Sequence, residues 1–258
     1  MRVWKTYKTH YGTGMKWHKP PVDLILSENH IDVWRSDIDV SEEQLENYRH
    51  TLSVDELNRA SLFTFPDKEK EYVVTRGLLR AALACLLNAP AHSFEFCYSK
   101  EKKPKLENAT SSGLVFNVSH SHGQALVAVS SNRQLGIDIE CIRKDVDFKK
   151  LARRFFSENE YKSLLDYEGN VLRAFFTTWT RKEAFVKAIG KGIAFGLAEF
   201  DVNIDPDAPA EMLATRWQRE DAEKWQLATI DSIDNYVATL ATDGDEFKLR
   251  TWQFHQDN

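Results

Sequence analysis

Two segments about forty residues apart constrain most strongly what the second half of this chain can fold into. Residues 135–140 read LGIDIE, and this alternation predicts a strand with Asp138 and Glu140 on one face and the apolar residues on the other. Residues 171–189 predict a long helix on which Glu183 and Lys187, four positions apart, share a face. Three carboxylates and a lysine, if brought together, favour Mg²⁺ acting on a phosphate substrate.

Each segment also has a plainer interpretation. An isolated D-x-E on an amphipathic strand is usually a pair of solvent-facing acids. Glu183 and Lys187 would be typical of a helix-surface ion pair, which contributes only ~0.2–0.5 kcal/mol. The predicted helix, however, is apolar around most of its circumference, so these two charges are expected to be partly buried and to need partners or a chemical role.

Composition limits the class of protein. The chain has 258 residues and 42% apolar content, enough for one large domain or two small ones. No apolar run approaches the ~20 residues of a membrane span or the length of a signal peptide, so we expect a cytoplasmic protein without a membrane or nucleic-acid partner. Cys85, Cys97 and Cys141 lack the spacing of metal ligands and are expected to be buried or idle thiols.

Charge is distributed unevenly along the chain. The net charge is −5, but residues 131–198 carry thirteen basic and nine acidic residues, whereas residues 199–258 carry five and fourteen. The basic stretch surrounds the candidate carboxylates, so it could attract phosphates or an acidic partner. A solvated helix face explains it equally well.

The remaining pattern predicts an α+β fold in two similar parts. We expect an N-terminal arm over residues 1–28, one α+β half over 29–131 and a second over 132–258. Capping signals begin helices at Ser41, Ser53 and Ser157, and a long helix begins at Pro66. Strands are predicted at 30–34, 94–98, 114–118 and 125–129, and again after the helix that ends at Gly190.

Other polar residues could bind phosphate. Ser119 and His120 follow a strand in the stretch NVSHSHG, and phosphate contact suits them better than nucleophilic catalysis because the chain has no G-x-S-x-G elbow. Arg76 and Arg80 share a helix face, and Lys103 lies in a basic loop; each could instead be a surface solubiliser. Walker-A, Rossmann and zinc-protease motifs are absent.

Taken together, FNVSH, GIDIE and WTRKEAFVKAIGKG resemble the 4'-phosphopantetheinyl transferases of the surfactin-synthetase-activating type. The resemblance extends from the HIDVW strand through LSVDELNRA, RGLLRAAL, KKPKL and RFFSENEY. It implies two similar α+β halves related by a pseudo-twofold axis, with coenzyme A in the cleft between them. It also implies the reaction: Mg²⁺-dependent transfer of the phosphopantetheine arm of coenzyme A to a serine of an apo carrier protein, with release of adenosine 3',5'-bisphosphate.

The resemblance assigns roles position by position. It implies magnesium ligands at Asp138, Glu140 and Glu183, with Glu183 also the candidate general base and Lys187 steadying the leaving phosphate. Coenzyme contacts are implied at Ser119, His120, Arg59, Arg76, Lys103 and Lys182. An acidic carrier would dock near Lys149, Lys150 and Arg153, and the expected state is a monomer. Lys102 and Ser61-Leu62 depart from the usual pattern, so the nucleotide end could be held differently.

Two other classes fit parts of the pattern. A magnesium-dependent hydrolase or nucleotidyl enzyme acting on another diphosphate would need the same carboxylates. A non-catalytic interaction protein that kept the fold would be expected to lose at least one of them, and all three acids and Lys187 are present.

Overall fold

The computed structural model describes residues 15–98, 104–107, 113–192, 195–231 and 233–254. Its helices are α1 (Glu42–Thr51), α2 (Val54–Ala60), α3 (Pro66–Leu87), α4 (Phe148–Phe155), α5 (Glu158–Leu165) and α6 (Val171–Ile189). Its strands are β1 (His30–Asp37), β2 (Phe96–Tyr98), β3 (Pro104–Leu106), β4 (Leu114–Ser121), β5 (Gln124–Ser131), β6 (Leu135–Cys141), β7 (Phe200–Val202), β8 (Met212–Thr215), β9 (Trp225–Thr229), β10 (Tyr236–Asp243) and β11 (Lys248–Gln253).

The helix ends follow the capping signals in the sequence. Ser53 and Glu56 form a reciprocal capping box at the start of α2, and Ser157 and Glu160 form a second at the start of α5. The long helix α6 ends at Gly190, whose φ of 70° is a left-handed conformation that glycine adopts without strain. These predicted starts and stops are confirmed.

The first half packs α3 on a four-stranded sheet with the order β11-β1-β5-β4. Buried residues of α3 such as Leu78 and Leu83 share one apolar core with Val127 and Val129 of β5. The last strand of the chain, β11, pairs in parallel with β1, so the C-terminal segment belongs to the first sheet. Arg250 on β11 holds this pairing through Asp32, which is fully buried.

The second half packs α6 on a three-stranded sheet with the order β6-β10-β9. One face of β6 contributes Leu135, Ile137 and Ile139 to an apolar core, and the opposite face carries Gly136, Asp138 and Glu140 toward α6. The alternation predicted for this strand is therefore present in the fold.

The α+β fold class is confirmed, with a long helix against a mixed sheet in the first part and against an antiparallel sheet in the second. The domain limits at residues 28 and 131 stay a prediction, and the position of β11 shows that the chain returns to the first sheet at its end. Cys85 and Cys141 are partly buried free thiols, whereas Cys97 is exposed. Among the described residues, no helix has the length and apolar content needed to cross a membrane.

Candidate active site

The two sheets meet where β4 of the first runs beside β6 of the second, and polar side chains join them. Asn117 accepts a hydrogen bond from the Ile137 N–H at 2.8 Å. The hydroxyls of Ser119 and Ser121 accept from the N–H groups of Ile139 and Cys141, each at 3.3 Å. Three alternate residues of β4 therefore satisfy the free backbone edge of β6, which explains why polar residues recur at every second position here.

Gly136 sets the distance between α6 and β6. A Cβ atom at this position would lie 2.0 Å from the carbonyl oxygen of Ala184 and 2.4 Å from the amide nitrogen of Ala188. Only a residue without a side chain allows the helix backbone to approach the strand so closely. This contact places Glu183 and Lys187 next to the acidic face of β6.

Lys187 links the helix to both strands. Its Nζ lies 2.6 Å from Asp138 Oδ1 and donates to the Ser119 hydroxyl at 2.9 Å and to the Ile137 carbonyl at 3.3 Å. Ser119 in turn donates to Asp138 Oδ1 at 3.0 Å. The Lys187 side chain is 29% exposed whereas that of Asp138 is only 6% exposed, so the lysine side of this network reaches solvent.

The two glutamates have perturbed acidities. Burial and the nearby charge of Asp138 raise the pKa of Glu183 to about 7, although Lys187 opposes the shift. Burial also raises the pKa of Glu140, against the opposing effect of the Ser121 hydroxyl, which donates to Glu140 Oε2 at 2.8 Å. Carboxylates crowded together in this way bind protons more tightly unless a cation joins them.

The donor set suits a hard divalent cation. Asp138 Oδ2 and Glu183 Oε1 are buried oxygens without a hydrogen-bond partner, and carboxylate oxygens are the ligands that Mg²⁺ prefers. Within the described residues, no three acidic, histidine or cysteine side chains already form a metal cage. Asp138 Oδ1 already accepts from Lys187 and Ser119, so Asp138 Oδ2 is the oxygen left for a cation.

The arginines on the first half differ in accessibility. Arg76 is buried and donates to Glu56 Oε1 and to the Tyr98 hydroxyl, each at 2.8 Å, while Arg80 is fully buried against the same glutamate. Both guanidinium groups are thus engaged in holding α3 to α2. Arg59 is exposed and lies over the ring of Tyr72, with 5.7 Å between its guanidinium carbon and the ring centroid.

Lys182 lies on α6 beside Glu183 but is fully buried. Its Nζ donates to the carbonyls of Leu197 and Phe200 at 2.7 and 2.6 Å and lies 2.8 Å from Glu160 Oε2. An ammonium has three N–H donors, and these three contacts use them all. The geometry therefore contradicts the expected phosphate contact at Lys182 and assigns the side chain to the interior of the fold.

The structure brings together Asp138, Glu140, Glu183, Lys187 and Ser119. His120 lies on the opposite face of β4, against Glu71 of α3, and Lys103 lies outside the described residues. Sequence reasoning missed the bridging roles of Asn117 and Ser121 and the close approach at Gly136. The alternation of Asn117, Ser119 and Ser121 was a visible signal for the first two, because it predicts a polar strand face.

Comparison with known proteins gives a consistent result over most of the chain, residues 37–241. The family model of the 4'-phosphopantetheinyl transferase superfamily matches residues 134–241, and that of the 4'-phosphopantetheinyl transferase N-terminal region matches residues 37–133. The two matches meet beside the junction of β5 and β6.

Two curated relatives with the same family name are similar in sequence to this chain. The chain is 37% identical over 242 residues to the 4'-phosphopantetheinyl transferase HetI of a Nostoc species, covering 92% of this chain and 98% of the relative. It is 32% identical over 170 residues to the 4'-phosphopantetheinyl transferase psf-1 of Bacillus pumilus, covering 66% and 71%. The crystal structure of holo-[acyl-carrier-protein] synthase from Thermotoga maritima matches with 19% identity and a TM-score of 0.34, covering 45% and 64%. On the family models and the near full-length sequence match, the chain belongs to the 4'-phosphopantetheinyl transferase superfamily.

Proposed function

We propose that this enzyme transfers the 4'-phosphopantetheine arm of coenzyme A to a serine of an apo carrier protein, at a site formed by Asp138, Glu140, Glu183 and Lys187. The observation that carries the assignment is the meeting of three partly or fully buried carboxylates with one lysine at the junction of the two sheets. Two buried carboxylate oxygens in this group have no hydrogen-bond partner. Without a ligand, burying them lowers the stability of the fold.

Asp138, Glu140 and Glu183 would hold Mg²⁺, and the ion would supply positive charge against the diphosphate of coenzyme A. The unpartnered oxygens of Asp138 and Glu183 support this assignment. The choice of Mg²⁺ rests on the all-oxygen donor set and on the family resemblance.

Lys187 would stabilise the leaving group. The serine hydroxyl oxygen attacks the β-phosphorus, and the bond from that phosphorus to the bridging oxygen breaks. The electron pair leaves with adenosine 3',5'-bisphosphate, so negative charge grows on the departing α-phosphate. Lys187 is partly exposed and is already held by Asp138 and Ser119, so it offers a fixed cation where this charge develops.

Glu183 would accept the proton of the attacking serine, directly or through a water molecule. A general base works best when its pKa lies near the working pH, and the pKa of Glu183 is raised to about 7 by burial and by Asp138.

Coenzyme contacts are proposed at Ser119 and His120 on β4 and at exposed Arg59 on α2. Arg76 would act mainly by holding α3 against α2, since Glu56 and Tyr98 already engage its guanidinium. Lys103 remains a proposed contact from the family resemblance.

The carrier would dock on α4. Lys149, Lys150 and Arg153 are all exposed on this short helix, and exposed charge chiefly accelerates the encounter with an acidic partner. Reversing Lys149 and Lys150 to glutamate should raise the apparent KM for the carrier at low salt and have less effect at high salt. An unchanged KM at low salt would exclude this surface.

Mass spectrometry of an apo carrier protein incubated with enzyme, coenzyme A and Mg²⁺ tests the reaction. The carrier should gain the mass of one phosphopantetheine group. Cleavage of the diphosphate without modification of any carrier in a panel of acyl and peptidyl carriers would favour the alternative, a magnesium-dependent hydrolase.

A further inference from the structure

Glu71 on α3 faces His120 across the edge of the first sheet. Glu71 Oε1 lies 3.4 Å from His120 Nδ1, and the same oxygen accepts a hydrogen bond from Lys68 Nζ at 2.9 Å. The Glu71 side chain is 16% exposed and that of His120 is 44% exposed. One oxygen of Glu71 therefore contacts two basic side chains, those of His120 and Lys68, at the border of the candidate active site.

The strand geometry explains why His120 faces α3. Successive residues of a strand point to opposite faces, so Ser119 turns toward β6 and Lys187 while His120 turns the other way. Phe116 and Val118, which share the face of His120, pack in the core beneath α3. His120 is thus the last residue on this face before the turn, adjacent in sequence to a residue of the lysine network.

The charges around His120 come from three elements. Burial lowers the pKa of His120, and Lys187 on α6 and Lys68 on α3 lower it further. Glu71 on α3 and Asp138 on β6 act in the opposite direction, and Glu71 has the larger effect of the two. Glu71 is therefore the main group that favours a charged imidazole at this position.

We propose that Glu71 is a positioning residue that holds His120, with Lys68 beside it, for contact with a phosphate oxygen of coenzyme A. This inference rests on the proposed function. The 3.4 Å separation is longer than a usual hydrogen bond, and contacts of this kind commonly tighten once substrate is bound. A ligand phosphate at Nε2 and the carboxylate at Nδ1 would then flank the ring, while Glu71 itself touches no substrate.

Steady-state kinetics of Glu71→Gln test the proposal, because the substitution removes the charge and keeps the shape. The KM for coenzyme A near neutral pH should rise about fivefold, the upper range for a partly exposed ion pair, with kcat within about twofold. Glu71→Asp should restore most of the affinity. Glu69→Gln is the matched control, since Glu69 lies on the same helix and pairs with Arg49 at 2.8 Å.

A second readout is independent of turnover. In an NMR titration of the histidine rings, with His120 identified by the loss of its signal in His120→Gln, Glu71→Gln should lower the pKa of His120 and Glu69→Gln should leave it unchanged. An unaltered titration together with an unaltered KM in Glu71→Gln would overturn the proposal, as would a loss confined to kcat. A wild-type enzyme that modifies no carrier would instead contradict the proposed function, and the NMR titration would still decide whether Glu71 acts on His120.

Discussion

Replacing Glu183 with glutamine should have opposite effects on activity and on the stability of the metal-free protein. Glutamine has nearly the same shape but no charge to desolvate. As the proposed ligand and base, Glu183 is expected to be required for transfer, so the variant should be inactive. As a buried carboxylate next to Asp138, it destabilises the ligand-free fold whenever it is ionised.

The size of the stability effect follows from the pKa of Glu183, which rises from 4.5 to about 7 on folding. The folded state binds this proton more tightly than the unfolded state does. The proton's contribution to the free energy of unfolding is therefore fully present below pH 4.5 and is lost as the pH rises through 7. At 1.36 kcal/mol per pKa unit, the ionised side chain lowers the free energy of unfolding by roughly 3 kcal/mol at alkaline pH. At about pH 5.5 the same relation gives a loss of only about 1.4 kcal/mol in the free energy of unfolding.

Urea denaturation of wild type and Glu183→Gln, with a chelator present, measures this difference. The variant should be the more stable protein, and its advantage should grow by about 2 kcal/mol between about pH 5.5 and pH 8.5. Glu168→Gln, at an exposed loop position, is the control and should show no such trend. An advantage that is absent, or that does not grow with pH, would refute the burial of an unpaired charge at Glu183.

Three further substitutions test other parts of the account. Gly136→Ala should abolish transfer and lower the free energy of unfolding by about 2 kcal/mol or more, measured by urea denaturation, because its Cβ would lie 2.0 Å from the Ala184 carbonyl oxygen; wild-type behaviour would show that α6 need not lie so close. For Lys187→Ala we expect about a hundredfold loss in kcat with little change in the KM for coenzyme A, and a change confined to KM would contradict the leaving-group role. Asp32→Asn should cost about 2–4 kcal/mol in the same denaturation assay because Arg250 loses its buried partner, and an unchanged midpoint would show that this pair does not anchor β11.

Much of the fold was predictable because its signals are local. The capping boxes at Ser53 and Ser157, the left-handed end of α6 at Gly190 and the alternation around Asp138 depend only on neighbours in sequence. The parallel pairing of β11 with β1 was not predictable in this way, because it joins residues that are more than two hundred positions apart.

In the candidate site, too, local patterns were predictable and long-range contacts were not. Carboxylate spacing on β6 and α6 allowed a shared site for Asp138 and Glu183 but did not exclude surface acids, and the family resemblance supplied the expectation that the two residues share a site. Lys182 was assigned incorrectly because its burial depends on Glu160 and on two distant backbone carbonyls, which no local pattern reveals. Glu71 belongs to no recognisable sequence motif, and only the packing of α3 beside β4 brings it close to His120.

We propose that carboxylates from β6 and α6 together hold a divalent cation against the diphosphate of coenzyme A. Electron paramagnetic resonance of Mn²⁺ added to the protein with coenzyme A tests it most directly. Wild type should bind one Mn²⁺ per chain, and both Glu183→Gln and Asp138→Asn should weaken that binding strongly, while Glu168→Gln should not. Equal Mn²⁺ binding in all four proteins would contradict the claim.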